Sequence, residues 1–208
     1  KEFMENCDPT LLGINFNKAL IIFATSFSQP GYPEQVKRKF CMTVMLGLKK
    51  LYELLEFELI TKLHPQDSSN GFMEKSLSQE CSFSRPLNII QNSTITNDLI
   101  ASADLLITIG LSTIANIAIA ANTPLVIVYS GGVSQTPAKE IIYIDDHVSP
   151  VVDNENTLCS ESLMALQNPK SYFQNWCTQI QTFKKNQLQL DDPNPLQTLC
   201  QTILKLSA

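Results

Sequence analysis

Short apolar runs alternate with longer amphipathic periods along most of the chain. Lys18–Thr25 (KALIIFAT) is nearly continuous in apolar character, which predicts a buried strand, and polar Ser26–Pro33 follows as a loop. From Glu34 onward Val36, Phe40, Val44, Leu48, Leu51 and Leu55 recur at helical spacing, which predicts a long amphipathic helix. Pro33 suits the first turn of that helix, where a missing N–H costs little. Phe57–Leu63, Leu87–Gln91, Asp104–Ile109 and Pro124–Tyr129 predict the second to fifth strands, and Glu140–Ile144 a sixth. A weakly helical stretch near 70–80, a short helix at Asn97–Ser102 and a helix at Ser112–Ala121 fall between them. Beyond residue 150 the pattern becomes helical, with Asn156–Gln167, Lys170–Lys185 and Pro195–Leu206 separated by Asn168-Pro169 and Asp191-Asp192-Pro193.

Strands alternating with helices imply right-handed crossovers and a parallel sheet covered on both faces. The strands are almost uniformly apolar, as burial on both sides requires. The expected fold is α/β: a Rossmann-like, doubly wound parallel sheet of about six strands with C-terminal helices. Residues 1–17 read as a linker or N-terminal extension. Residues 18–208 read as one Rossmann-like domain, of which 156–208 is largely helical.

Composition narrows the partners. Hydrophobic residues make up 44% of the chain and charged residues 17%, a balance that excludes a disordered polyampholyte. Fifteen Lys and Arg against twenty Asp and Glu leave a net charge of −5, so no broad cationic face and no nucleic-acid partner are expected. The longest apolar stretch, Ile114–Tyr129, is interrupted by Asn116, Asn122 and Pro124 and cannot serve as a bilayer span. Cys7, Cys41, Cys81, Cys159, Cys177 and Cys200 form no C-x-x-C pair, and only His64 and His147 could join them. Reduced, mostly buried thiols in a cytoplasmic protein, with no metal site, are the expectation. The chain begins with Lys1 and shows no signal-peptide pattern, which fits a piece of something longer.

Ligands of open parallel sheets bind beyond the carboxyl ends of the strands, so the chemistry is sought in the loops there. In Lys62-Leu63-His64-Pro65, His64 sits where an imidazole can donate to a phosphate, or can simply cap a strand in a turn. In Gly110-Leu111-Ser112-Thr113, Gly110 permits a tight turn and Ser112 or Thr113 opens a helix. Helix N–H groups and the macrodipole there favour a phosphate, although plain helix capping accounts for the same residues. Gly131 and Gly132, after the fifth strand, either allow close backbone approach to a ligand or form a connector. A Walker loop, a dinucleotide G-x-G-x-x-G and a G-x-S-x-G elbow are all absent from the sequence. Asp145-Asp146-His147 reads as solvated charge, and Tyr172, Phe173 and Trp176 read as packing.

Taken in order, the run Asn97–Thr113 continuing to Ala121-Asn122-Thr123-Pro124-Leu125-Val126-Ile127 resembles the donor-binding half of GT-B glycosyltransferases. In that family an apolar strand ends in a Ser/Thr pair opening a helix, and the helix closes before "xGxPvI". Lys62-Leu63-His64-Pro65 resembles the "K-x-HP" of the bacterial capsule and surface-polysaccharide branch, which includes polysialyltransferases, Kdo transferases and polyol-phosphate polymerases. UDP-N-acetylglucosamine 2-epimerase shares the fold. The resemblance spans about residues 18–145, and the tail from Asp191-Asp192-Pro193 is similar to the closing helix of this branch.

The resemblance implies a donor nucleotide sugar whose phosphates meet His64, Gly110, Ser112 and Thr113. It places the nucleoside near Gln91, Asn92, Ile95 and Asn116, with Ser26, Gly131 and Gly132 as loop contacts. It implies no cofactor and no metal. The partners it implies are an N-terminal Rossmann-like domain or subunit carrying acceptor and catalytic base, and peripheral membrane association of the full protein. Two departures stand out. Where the family often has a ribose-binding Glu, Asn116 or Ile117 stands, and the glycine of "xGxP" is Asn122, which can still adopt a left-handed cap. An epimerase-like enzyme and a non-catalytic assembly module of the same fold remain as alternatives.

Overall fold

The computed structural model describes residues 15, 17–25, 34–64, 88–90, 96–109, 113–129 and 147–188. Strands β1 (Ala19–Ala24), β2 (Phe57–Lys62), β3 (Asn88–Ile90), β4 (Leu105–Ile109), β5 (Leu125–Val128) and β6 (Val151–Val152) form one sheet in the order β3-β2-β1-β4-β5-β6. Every neighbouring pair is parallel. This is the doubly wound order, with its topological switch point between β1 and β4, where the chain leaves the sheet centre in opposite directions. The expected α/β class is therefore the observed one. The sixth strand differs from expectation: it is the two-residue Val151–Val152, within a stretch whose Pro150 and Asp153 masked it from periodicity. The candidate at Glu140–Ile144 lies outside the described residues.

Helices α1 (Glu34–Leu54), α2 (Thr96–Ser102), α3 (Thr113–Ala121), α4 (Glu155–Gln167) and α5 (Pro169–Phe183) flank the sheet, and Lys184–Leu188 continues α5 as a π-helical turn. Two cores result, one per sheet face. Ile21, Phe23, Phe57, Leu105, Ile107 and Val126 pack against α1 and α4. Leu20, Ile22, Ile60, Leu106, Leu125 and Ile127 pack against α2, α3 and the end of α5. Strict alternation along each strand is what a central parallel strand buried on both sides produces.

Local chemistry fixes the joints. Asn154 caps α4 by accepting from the backbone N–H groups of Asn156 and Thr157, both at 3.0 Å. Pro169 begins α5 at a position where no N–H is needed. Asn122 closes α3 with φ 58°, the left-handed conformation expected for the residue that replaces glycine there. Lys184 donates to Asn122 Oδ1 at 2.7 Å and to the Ala120 carbonyl at 3.3 Å, so the π-helical turn caps the far end of α3. Tyr172 is buried on α5 and donates to the Leu125 carbonyl at the start of β5. Phe173 and Trp176 are half-buried against the core, in line with their reading as packing. Cys41 and Cys159 are buried thiols, whereas Cys177 is exposed, an exception to the expected burial. Cys7, Cys81 and Cys200 lie outside the described residues.

Candidate functional site

The carboxyl edges of β2, β1 and β4 lie side by side, and two backbone-directed bonds tie the first two together. The Thr25 N–H donates to the Lys62 carbonyl at 2.9 Å, extending the ladder one residue past β1. The His64 N–H donates to Thr25 Oγ1, also at 2.9 Å. Thr25 is only 3% exposed, so its hydroxyl is a structural acceptor that fixes where the chain carries His64 as it leaves β2. The imidazole is half-buried there.

On the other side of β1, β4 ends at Ile109 and α3 begins at Thr113. The start of α3 and His64 thus belong to strand ends separated by a single strand, roughly 10 Å of sheet. Asn116 lies in the first turns of α3 and is half-buried. Gly110, Ser112, Gln91, Asn92, Ile95, Ser26, Gly131 and Gly132 lie outside the described residues, as does the side chain of Thr113. Asp145 and Asp146 do so too, while His147 is exposed with φ 48°.

Three side chains at this edge have surroundings that the sequence does not reveal, although Lys62 belongs to the Lys62-Leu63-His64-Pro65 run. Thr25 looked like a strand terminus, yet it is the anchor for His64. Lys62 is 9% exposed, and its ammonium donates to the Leu63 carbonyl at 2.8 Å. Burial lowers its pKa from the ordinary lysine value. Thr108, near the end of β4, is fully buried, and its Oγ1 has no hydrogen-bond partner among the described residues. Periodicity marks such residues as strand interior and is blind to polar atoms at a strand's end.

A cleft of about 320 Å³ opens at the opposite end of the sheet, lined by Asn17, Lys18, Asp104, Pro124 and Phe173 among others. It sits at the amino ends of β1, β4 and β5, where no topological switch point exists, and its charged groups Lys18 and Asp104 are engaged in holding the strands. Asp104 accepts from the Leu20 N–H at 2.8 Å, and Lys18 pairs with Glu56 at 2.6 Å.

Fold and edge together define a Rossmann-like domain with a polar switch point. No family model and no curated protein matches the chain. Among solved structures, the chain is similar to a histidine-to-asparagine variant of the wall teichoic acid polymerase TagF, at TM-score 0.64 and 18% identity, covering 98% of this chain and 47% of that one. It is also similar to the S. aureus MnaA–UDP co-structure, at TM-score 0.55 and 12% identity over 76% of this chain and 40% of that one. The Methanocaldococcus jannaschii UDP-GlcNAc 2-epimerase in complex with UDP-GlcNAc and UDP matches at TM-score 0.52 and 11% identity, over 76% of this chain and 44% of that one. The likeness is one of fold. The chain spans less than half the length of each of these proteins. Among the described residues, no helix is long and apolar enough to cross a membrane.

Proposed function

We propose that the chain is the donor-binding half of a GT-B glycosyltransferase of surface or capsular polysaccharide synthesis, taking a nucleotide sugar at the carboxyl edge of the sheet. The observation that carries this reading is the anchoring of His64 to Thr25 beside the switch point, one strand away from the start of α3. A phosphate there meets an imidazole donor from one side and the N–H groups and dipole of α3 from the other. Ser112 and Thr113 add hydroxyl donors, Gly110 lets the backbone approach, and Gln91, Asn92, Ile95 and Asn116 meet the nucleoside. Acceptor and catalytic base belong to a second Rossmann-like domain or subunit, and the full protein works in the cytoplasm against the membrane surface. The fold shared with a wall teichoic acid polymerase supports this choice.

A second reading, an epimerase acting on a UDP-sugar, is favoured by the fold shared with a UDP-GlcNAc 2-epimerase that binds UDP-GlcNAc and UDP. Both readings require nucleotide binding, so titration with UMP, UDP, CMP and CDP by calorimetry or NMR tests them together. Weak binding of one base series is expected. Silence across the panel at millimolar ligand would leave a non-catalytic assembly module of the same fold. His64→Ala should weaken binding about 10- to 150-fold, the worth of one charge-assisted hydrogen bond. The fold should persist, because the bond that anchors this position uses the backbone N–H. Lower stability with unchanged affinity in the protein that remains folded would show that His64 only caps its strand.

A further inference from the structure

Lysine is among the residues least often buried, and a buried ammonium normally finds a carboxylate. Lys62 is 9% exposed and sits in the penultimate position before His64, yet its one hydrogen bond among the described residues is to the Leu63 carbonyl. No described residue accepts from its other two donors. The register shows what stands beside it. Ala24 of β1 is paired with Lys62 on one side and with Thr108 of β4 on the other. Ile60 and Leu106, two residues earlier on those strands, belong to the same core as Ile22 and Ala24. Strand alternation thus puts the Lys62 and Thr108 side chains on one face of the sheet, on either side of a single methyl group. Thr108 Oγ1 is the second feature of that row, a fully buried hydroxyl with no hydrogen-bond partner among the described residues. Thr61, Ser102 and Ser162 share that condition, but Thr108 alone has it beside Ala24 on this face.

A spare buried cation and an orphaned buried hydroxyl in one cross-strand row, at the switch point, lack the same thing: an anionic oxygen acceptor. We propose that Lys62 and Thr108 form a phosphate-recognition pair, the Lys62 ammonium supplying charge and the Thr108 hydroxyl a donor to phosphoryl oxygens of a bound nucleoside diphosphate. This rests on the nucleotide reading above and adds to it the cation that His64 and a helix N-terminus do not provide. The lowered pKa of Lys62 is consistent, since a desolvated ammonium without a counter-charge gains most when an anion arrives.

The test uses the whole chain, with inorganic pyrophosphate and UDP as probes, CDP replacing UDP throughout if the cytidine series is the one that binds. Lys62→Met keeps the stem and removes the charge, and it should raise the Kd of UDP about 10- to 150-fold. It should not lower the melting temperature of the ligand-free protein, because an uncompensated buried charge is lost rather than a stabilising one. Thr108→Val should weaken UDP by about 2- to 13-fold. In wild-type protein labelled at the lysine Cε, Lys62 and Lys184 should both titrate below the exposed lysines, the Lys184 signal being assigned by its loss in Lys184→Met. UDP should move the Lys62 midpoint upward; this holds even if a Lys62 variant fails to fold. Unchanged UDP affinity in Lys62→Met, or a Lys62 midpoint that ignores UDP, overturns the pair while leaving nucleotide binding intact. Pyrophosphate binding that depends on Lys62, without binding of any nucleotide, sinks the nucleotide reading and retains the pair. No binding of UDP, CDP or pyrophosphate at millimolar concentration overturns both.

Discussion

Single side chains in this protein do two different kinds of work, and their surroundings tell them apart. Tyr172 is a structural donor: buried at 2% exposure, it satisfies the Leu125 carbonyl at the start of β5. Burial first, and Glu161 second, push its phenol well above the usual tyrosine value. A raised phenol pKa means the folded protein holds the proton more tightly than the unfolded chain. Its contribution is therefore complete below the ordinary value of about 10 and is lost as pH rises beyond it. Tyr172→Phe should cost about 0.5–1.5 kcal/mol at neutral pH in chemical denaturation, and more if Leu125 finds no other donor. The variant should also lose part of the alkaline fall in stability; an unchanged alkaline limb would show that Tyr172 is not its source. Thr108 is the opposite kind, a buried hydroxyl that no described residue satisfies, and Lys62 is held by a single bond to the Leu63 carbonyl. Stability does not explain them.

Between elements, the tightest constraint is the crossing of α1 and α4. A Cβ on Gly47 would lie 2.7 Å from Leu158 Cδ2, 3.0 Å from its Cγ and 3.1 Å from its Cβ. Leu158 is fully buried, and its Cβ cannot turn away, so the helix itself would have to shift. Gly47→Ala gains about 1 kcal/mol of helix propensity and should lose about 1–3 kcal/mol to overpacking. A net loss in stability is expected in urea denaturation, larger for Gly47→Val; a stabilised Ala variant would mean that the helices slide apart without cost. The capping of α3 by Lys184 is a second joint, linking the C-terminal helices to the helix that opens at the candidate site. Lys184→Met should destabilise by about 0.5–1.5 kcal/mol. Its effect on nucleotide affinity should be small, because the lost bonds lie at the opposite end of α3, and a large effect would reveal coupling along the helix.

At the scale of the molecule, the sheet brings the ends of β2, β1 and β4 together and aligns them with a fold found in one half of several larger proteins. Under the proposed function this chain carries donor contacts without acceptor or base. Nucleotide binding without glycosyl transfer or sugar-nucleotide hydrolysis is therefore the expected behaviour of the purified chain. Sustained turnover in a coupled release assay would show that the catalytic groups lie within these 208 residues.

The sequence by itself determined the class of fold, because a doubly wound sheet writes itself as uniform apolar runs separated by amphipathic helices. Each of the first five strands and the helices over 34–54, 113–121, 155–167 and 169–183 fell where periodicity put them, to within a residue or two. It also marked His64, because a histidine followed by proline at a strand's end interrupts an apolar pattern. The sequence could not show β6, since two residues have no period, nor the roles of Thr25, Lys62 and Thr108. A threonine or lysine closing an apolar run looks the same whether its polar atom reaches solvent, anchors a neighbouring strand or lies buried without a partner. Only strand order and register decide that. They made β1 the neighbour of both β2 and β4 and set Lys62, Ala24 and Thr108 in one row, pairing residues up to 84 positions apart in the chain. Hydrophobic patterning is a local property of a segment, whereas a site is made by which segments the sheet sets side by side.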